Sequence, residues 1–204
     1  MGRDKATLPF GGELMLQRVV RLVGEVVERV VVVAAPDQQL PALPAGIEVV
    51  RDEREDRGPL EGLAAGLRAL ETACDAVYAT SCDVPLLRPA FVRRMFDLLG
   101  QSDCAVPKDD QYHHPLAAVY RTSVLPHVDA MLAKDRLRPV FLFEEVDTRV
   151  VAVDDLRDVD PQLTTLNNLN RPEDYTAALA ACGFDAPSTS RPLGPGEQPR
   201  QVDP

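Results

Sequence analysis

Ala79-Thr80-Ser81-Cys82-Asp83-Val84-Pro85-Leu86 is the stretch on which the fold of this chain turns. It follows Ala76-Val77-Tyr78, an apolar run without alternation that predicts a buried strand. Pro85 disfavours a helical Val84 and turns the chain, so Asp83 stands where the strand ends. In open parallel sheets ligands bind at that end. An acid there is also what a turn or a helix cap uses, so Asp83 alone does not separate the two readings.

Outward from this stretch, helices and strands alternate. Toward the N-terminus, Leu60, Leu63, Ala64, Leu67 and Leu70 form an apolar stripe, and Pro59 suits the first position of that helix. Ile47-Glu48-Val49-Val50 predicts a strand ending at Asp52. Val30-Val31-Val32-Val33-Ala34-Ala35 predicts a strand covered on both faces, because nothing polar interrupts it. Leu16, Val19, Val20, Val23, Val26 and Val27 recur at helical spacing over Glu13 to Val27.

Toward the C-terminus, a helix is expected from Pro89 to Leu99, strands at Cys104–Pro107 and Leu116–Tyr120, and a helix from Ser123 to Ala133. A strand near a sheet edge is expected at Arg149–Val153, an extended run at Leu163–Asn170, and a last helix from Pro172 to a stop at Gly183. Such alternation predicts a Rossmann-like, three-layer α/β/α fold with a mostly parallel sheet. Residues 1–185 read as one domain. Residues 186–204, rich in Pro, Gly, Ser and Gln, read as a disordered tail.

The formal charge is -10, from 22 Lys+Arg against 32 Asp+Glu, so there is no basic field for a nucleic-acid backbone or an anionic membrane. A phosphorylated ligand would need local devices: a lysine, backbone N–H groups or a divalent metal. Cys74, Cys82, Cys104 and Cys182 form no C-x-x-C pair and read as reduced thiols of a cytoplasmic protein. The longest apolar run, Val30 to Ala35, is too short to cross a bilayer, and no signal-peptide core is present.

Four stretches stand at strand ends or helix starts: Met1-Gly2-Arg3-Asp4-Lys5, Asp52, Gly58-Pro59-Leu60-Glu61-Gly62 and Asp83-Val84-Pro85. His114 follows a polar turn, Arg136 and Arg138 form a basic pair, and Asn168 and Asn170 share one side of an extended segment. Each has a bland alternative as a solvated charge or a cap.

Together with Val30–Val33, Cys82-Asp83-Val84-Pro85, His114-Pro115-Leu116 and Asn168-Leu169-Asn170-Arg171-Pro172-Glu173, these stretches occur in the order that marks a family. Over residues 1 to 182 the chain resembles the molybdenum cofactor guanylyltransferases, within the Rossmann-like nucleotidyltransferases. The resemblance implies transfer of GMP from GTP to molybdopterin on Mg²⁺, with pyrophosphate released. It implies that Lys5 contacts the nucleotide phosphates, that Asp83 is the magnesium ligand and, with Lys5, catalytic, and that Asp52 contacts the guanosine. Gly58, Pro59 and Leu60 would border the nucleotide, and His114, Arg136, Arg138, Asn168 and Asn170 the second substrate. Molybdoenzymes or their chaperones are the implied downstream partners.

Two departures accompany the resemblance. The family opens with a strand and a Gly-rich loop before an Arg-Met-Gly-x-Asp-Lys signature, and this sequence enters inside that signature at Met1. The expectation is a missing central strand and a translation start upstream of Met1. The position that follows the family's second strand, often a small amide, is Ala34 here. Transfer of CMP, transfer to a sugar phosphate, and a non-catalytic GTP- or molybdopterin-binding module stay open as alternatives.

Overall fold

The computed structural model describes residues 4–52 and 57–185. The expectation of a disordered tail, and the readings of Met1–Arg3 and Glu53–Asp56, lie outside the described residues. The described chain opens with a 3₁₀ turn, Lys5–Thr7, and a small hairpin of β1 (Pro9–Phe10) and β2 (Glu13–Leu14). Gly11 and Gly12 make its two-residue turn with φ of +60° and +87°, a mirror-image geometry that suits glycine. The first helix therefore starts later than its apolar spacing suggests: α1 spans Met15–Gly24, with Gln17 Oε1 accepting from the Leu14 N–H at 2.9 Å.

Strand β3 (Val31–Ala34) pairs in parallel with β4 (Glu48–Arg51). Helix α2 (Pro59–Leu70) begins after Gly58, with Pro59 at the position where a missing N–H costs nothing. It lies over β3, where a Cβ at Gly66 would stand 3.5 Å from Val33, an ordinary van der Waals contact. Then follow β5 (Ala76–Thr80), α3 (Pro89–Leu99), β6 (Cys104–Lys108), β7 (Ala117–Arg121), α4 (Leu125–Ala133), α5 (Leu142–Glu145), β8 (Thr148–Ala152) and α6 (Pro172–Ala181).

The strands β5-β7-β6-β8 form one sheet in that order. β7 runs antiparallel to both β5 and β6, and β8 runs parallel to β6, so β5, β6 and β8 share one direction. β8 lies at the edge, with Val150 half exposed.

Strand alternation sorts the core into two layers. Cys104, Val106, Ala118 and Tyr120 point toward Leu60, Leu67, Val128, Met131 and Leu142 from α2, α4 and α5. Ala105, Ala117, Val119 and Val151 point the other way, toward Phe91, Met95 and Leu99 of α3 and toward Leu156. The result is helix, sheet, helix. Phe91 and Tyr120 are fully buried, and truncating a phenylalanine so placed costs about 3–5 kcal/mol.

Two expectations about burial need correction. β3 is not covered on both sides: Val32 and Ala34 are buried, but Val31 and Val33 are only half-buried. All five residues of β5 are likewise half-buried. Both strands border an apolar cavity. Leu163–Asn170 is also not wholly extended. The buried carboxylate of Asp160 accepts the N–H groups of Thr164 and Thr165 at 3.0 and 2.8 Å, which winds Thr164–Leu166 into a 3₁₀ turn. No helix among the described residues is long and apolar enough to cross a membrane.

Candidate active site

The end of β5 delivers Asp83 into a cluster of polar side chains. Its Oδ2 accepts from Lys5 Nζ at 2.8 Å, and its Oδ1 accepts from Ser81 Oγ at 2.5 Å and from Asn168 Nδ2 at 2.9 Å. Lys5 also donates to Asn170 Oδ1 at 2.7 Å. Asp83 is only 8% exposed, so its charge is largely cut off from water and depends on these donors.

The local backbone explains why these side chains meet. The Leu169 N–H donates to the Asp83 carbonyl at 2.9 Å, docking the 168–170 segment beside the strand end. Leu169 is buried against Phe10, Met15, Ala178 and Leu179, and its two neighbours, on the opposite side of the extended chain, turn toward the carboxylate and the lysine. Lys5 is positioned by the 3₁₀ turn it opens. Asp4 caps that turn by accepting from the Ala6 N–H at 3.0 Å, and Asp4 is itself held by Gln38 Nε2 at 2.9 Å. Ala6, buried, pins the turn to the core.

A second polar group lies at the end of β4. The Asp52 N–H donates to the Ala34 carbonyl at 3.0 Å, prolonging the β3–β4 ladder by one bond. Its carboxyl Oδ1 is buried and has no hydrogen-bond partner among the described residues. Burial, and then the charge of Glu61, push the Asp52 carboxyl above the usual carboxylate range. Glu61 is buried in α2 with Arg57 at 3.3 Å, a separation that matches charge without hydrogen-bond alignment, since Arg57 Nε has no hydrogen-bond partner among the described residues. Arg57 also reaches Asp135 at 2.9 Å and the Leu132 carbonyl.

Gly58 has φ +70° and ψ −168°, a region left to glycine, and turns the chain into α2. Leu60 is fully buried in the core, so only its backbone is left for a ligand. A cavity of about 920 Å³ is bordered by Asp52, Gly58, Pro59, Gly62, Ser81 and Cys82 at this end, which sets the Asp52 and Asp83 neighbourhoods on one mouth.

His114, Arg136 and Arg138 sit elsewhere. The His114 N–H donates to the Pro107 carbonyl at 2.8 Å, and its Nε2 meets Asp109 Oδ2 at 3.0 Å. Asp109 is held below the usual carboxylate range, chiefly by the Tyr112 and Gln111 N–H groups. His113 takes the opposite side, with its ring 5.2 Å from that of Phe143. Arg136 is paired with Glu145 and lies over the Phe141 ring at 4.8 Å, and Arg138 precedes the Pro139–Phe141 turn. No hydrogen bond or ion pair between described residues links these three to the Lys5–Asp83 cluster.

Ser81 and Gln38 belong to the site, and neither is among the residues that sequence reasoning singles out. Ser81 meets Asp83 across the turn at Cys82–Asp83 that follows β5, a contact that strand alternation does not announce. Gln38 lies in a proline-punctuated connection with no periodicity and carries no signal.

No group of three His, Cys, Asp or Glu among the described residues forms a metal cage. The ligands available at Asp83 are its own carboxylate and the side-chain oxygen of Asn170, both hard oxygens, while Asn168 turns its amide nitrogen to the carboxylate. Such a set fits an ion that takes its remaining ligands from phosphate and water, as Mg²⁺ does, and does not fit zinc.

Residues 1–149 match the family model described as the MobA-like NTP transferase domain. A Methanosarcina acetivorans protein named "Probable molybdenum cofactor guanylyltransferase" is 32% identical over 191 residues, which cover 87% of this chain and 83% of that one. A Mycobacterium ulcerans protein of the same name is 36% identical over 160 residues, covering 76% and 78%. The crystal structure of molybdopterin-guanine dinucleotide biosynthesis protein A from Archaeoglobus fulgidus superposes with a TM-score of 0.74 at 21% identity, covering 89% of this chain and 92% of that one, a likeness of fold. The chain belongs to the MobA-like NTP transferase family and is a nucleotidyltransferase.

Proposed function

We propose that this chain transfers GMP from GTP to the terminal phosphate of molybdopterin, releasing pyrophosphate, in the cytoplasm. The observation that carries the reading is the Lys5–Asp83–Asn168–Asn170 cluster at the carboxyl ends of the strands. The names of its sequence relatives support the choice of substrates.

A molybdopterin phosphate oxygen attacks the α-phosphorus of GTP and the bond to the β-phosphate oxygen breaks, so no covalent enzyme intermediate is needed. Both reactants are anions, and the barrier is their approach in line. Lys5 answers this as a cation held ready on Asp83 and Asn170, from which it can turn to a phosphate. Asp83, with Asn170, would hold Mg²⁺, which when bound neutralises charge on the phosphates, and Asn168 orients the carboxylate through its amide N–H. Oδ2, which accepts from Lys5 alone, keeps a second lone pair for a ligand, whereas Oδ1 already accepts from both Ser81 and Asn168.

Asp52 supplies base recognition. A carboxylate with an oxygen that has no partner among the described residues, beside a cavity, suits the adjacent N1–H and N2–H₂ donors of guanine, whereas cytosine offers only its amino group. Gly58 and Pro59 shape the wall beside it, and the buried Leu60 contributes backbone only. On the acceptor side, Arg138 is the stronger anion contact, because the charge of Arg136 is already matched by Glu145. His114 would act through its hydrogen bond to Asp109.

The test is incorporation of label from α-labelled GTP and CTP into molybdopterin at equal concentration. Preference for GTP is expected. Equal or greater use of CTP overturns the guanylyl assignment, and nucleotide binding without turnover overturns the enzymatic one.

A further inference from the structure

Asp83 and Asn170 hold the tip of Lys5, and a separate relay of hydrogen bonds, starting on β4, holds the turn that carries it. Arg51, the last residue of β4, donates from Nη1 to the Ala35 and Gln38 carbonyls at 2.7 and 2.8 Å. These bonds brace the turn past β3, in which the Gln38 N–H donates to the Ala35 carbonyl at 3.1 Å. The Gln38 side chain then joins two elements. Its Oε1 accepts from the Ala35 N–H at 3.3 Å, and its Nε2 donates to Asp4 Oδ2 at 2.9 Å. Asp4 spends its other oxygen on the cap of the Lys5–Thr7 turn, through the Ala6 N–H. Both Asp4 oxygens are thus engaged, and Lys5 is the next residue.

Two anchors besides this relay act on the turn. Ala6 is buried in the core, and the Leu8 N–H donates to the Lys5 carbonyl while the Met15 N–H donates to that of Leu8. Neither fixes the Asp4 end. Among the described residues, the hydrogen bond that ties that end to another element is the one from Gln38. Ala35, Pro36 and Asp37 have no side-chain N–H to give, so Gln38 is the first residue past β3 that can make it. The bond also settles a charge. A carboxylate free to turn beside Lys5 would compete with phosphates for the ammonium and repel them, and Gln38 keeps it on a neutral amide.

We propose that Gln38, set by Arg51, is a positioning residue for Lys5: it holds Asp4, and through Asp4 the orientation of the turn that aims the ammonium at the phosphates. Its kinetic consequence rests on the nucleotidyl transfer proposed above, its structural one on the hydrogen bonds alone.

The pair can be tested by exchanging donor and acceptor. In Gln38→Glu two carboxylates face each other. In Asp4→Asn amide faces amide, and a flip of Gln38 that restores this bond forfeits the one to Ala35. The double variant Asp4→Asn/Gln38→Glu rebuilds every bond at unchanged net charge: the new amide at position 4 donates to the new carboxylate at position 38, whose other oxygen still accepts the Ala35 N–H. The single variants change the charge in opposite directions, so a loss in both is not an effect of the field.

The experiment measures ¹H–¹⁵N heteronuclear NOEs of the Ala6, Thr7 and Leu8 amides, melting temperature, and kcat and KM for GMP transfer in the unmodified chain and the three variants. In each single variant the NOEs should fall and kcat should drop about tenfold, with the KM for molybdopterin within about threefold and the melting temperature within about 3 °C, because the relay lies at the surface. The double variant should regain the NOEs and at least about a third of the unmodified kcat. Unchanged NOEs in the single variants overturn the proposal, as does a double variant no better than its parents. Lower NOEs with kcat unchanged leave the bond a structural one and overturn the positioning role. A raised KM for GTP in Gln38→Glu that the double variant does not relieve makes Gln38 a direct nucleotide contact, and overturns it too. An unmodified chain that transfers no GMP would sink the proposed reaction, while the NOEs still decide whether Gln38 holds the turn.

Discussion

Replacing Asp83 by asparagine separates the chemical role of this carboxylate from its place in the fold. The carboxylate accepts three side-chain hydrogen bonds, two on Oδ1 and one on Oδ2. Asparagine keeps the shape and keeps an acceptor for Ser81 and Asn168. Its amide nitrogen, however, would face Lys5 Nζ across 2.8 Å, donor against donor. Lys5 then falls back on Asn170. The loss is one charge-assisted hydrogen bond, worth about 1.5–3 kcal/mol when shielded. The Lys5 side chain is 29% exposed, so water recovers part of this and about 1–2 kcal/mol remains. For a chain of this size that lowers the melting temperature by roughly 2–8 °C, leaving a folded protein at 25 °C. Turnover should fall much further, by at least about a hundredfold, because the lost charge acts on the transition state. Melting curves and initial rates of GMP transfer check both numbers. A variant that keeps turnover within about threefold while melting lower would refute the catalytic role and leave Asp83 a structural acid.

Three more outcomes follow from the same geometry. Asp52→Asn should raise stability and weaken GTP. The folded Asp52 carboxyl titrates above its unfolded value, so the protein loses stability as pH rises from the unfolded pKa through the folded one, and asparagine abolishes that loss. Because guanine needs the ionised form, GTP affinity in the unmodified protein should also weaken as pH falls toward that raised value, and the slope should vanish in Asp52→Asn, measured by calorimetric titration. Gly58→Ala should destabilise by about 1–3 kcal/mol, because φ +70° with ψ −168° strains any side chain, and denaturant melts read this directly. Arg138→Ala should raise the KM for molybdopterin with the KM for GTP unchanged, and an equal effect on both would remove it from the acceptor side.

Much of the architecture is legible in the sequence because its signals are local. Pro59, Pro89 and Pro172 each mark the first residue of a helix, and the structure starts α2, α3 and α6 there. Strand order is not legible: alternation tells which face a residue takes but not which strand lies beside it, and β7 enters between β5 and β6 against their direction. The half-burial of Val31, Val33 and all of β5 is hidden for a related reason, since an apolar run says what a strand could bury and not whether a neighbour covers it.

The cluster joins Lys5 to residues 78 and 165 positions away. What points there is a strand end for Asp83 and a two-residue spacing for Asn168 and Asn170. Arg136 carries no sign that Glu145 matches its charge, because the two meet through a 3₁₀ turn and a short helix rather than along one periodic element.

The most direct test of the whole account follows the α-phosphorus of GTP by ³¹P NMR in the presence of molybdopterin, Mg²⁺ and the protein. The account predicts one pyrophosphate released for each new phosphoanhydride that joins GMP to molybdopterin, and neither product from Asp83→Asn. Release of free GMP with no new phosphoanhydride, or the same products from Asp83→Asn at the unmodified rate, would contradict it.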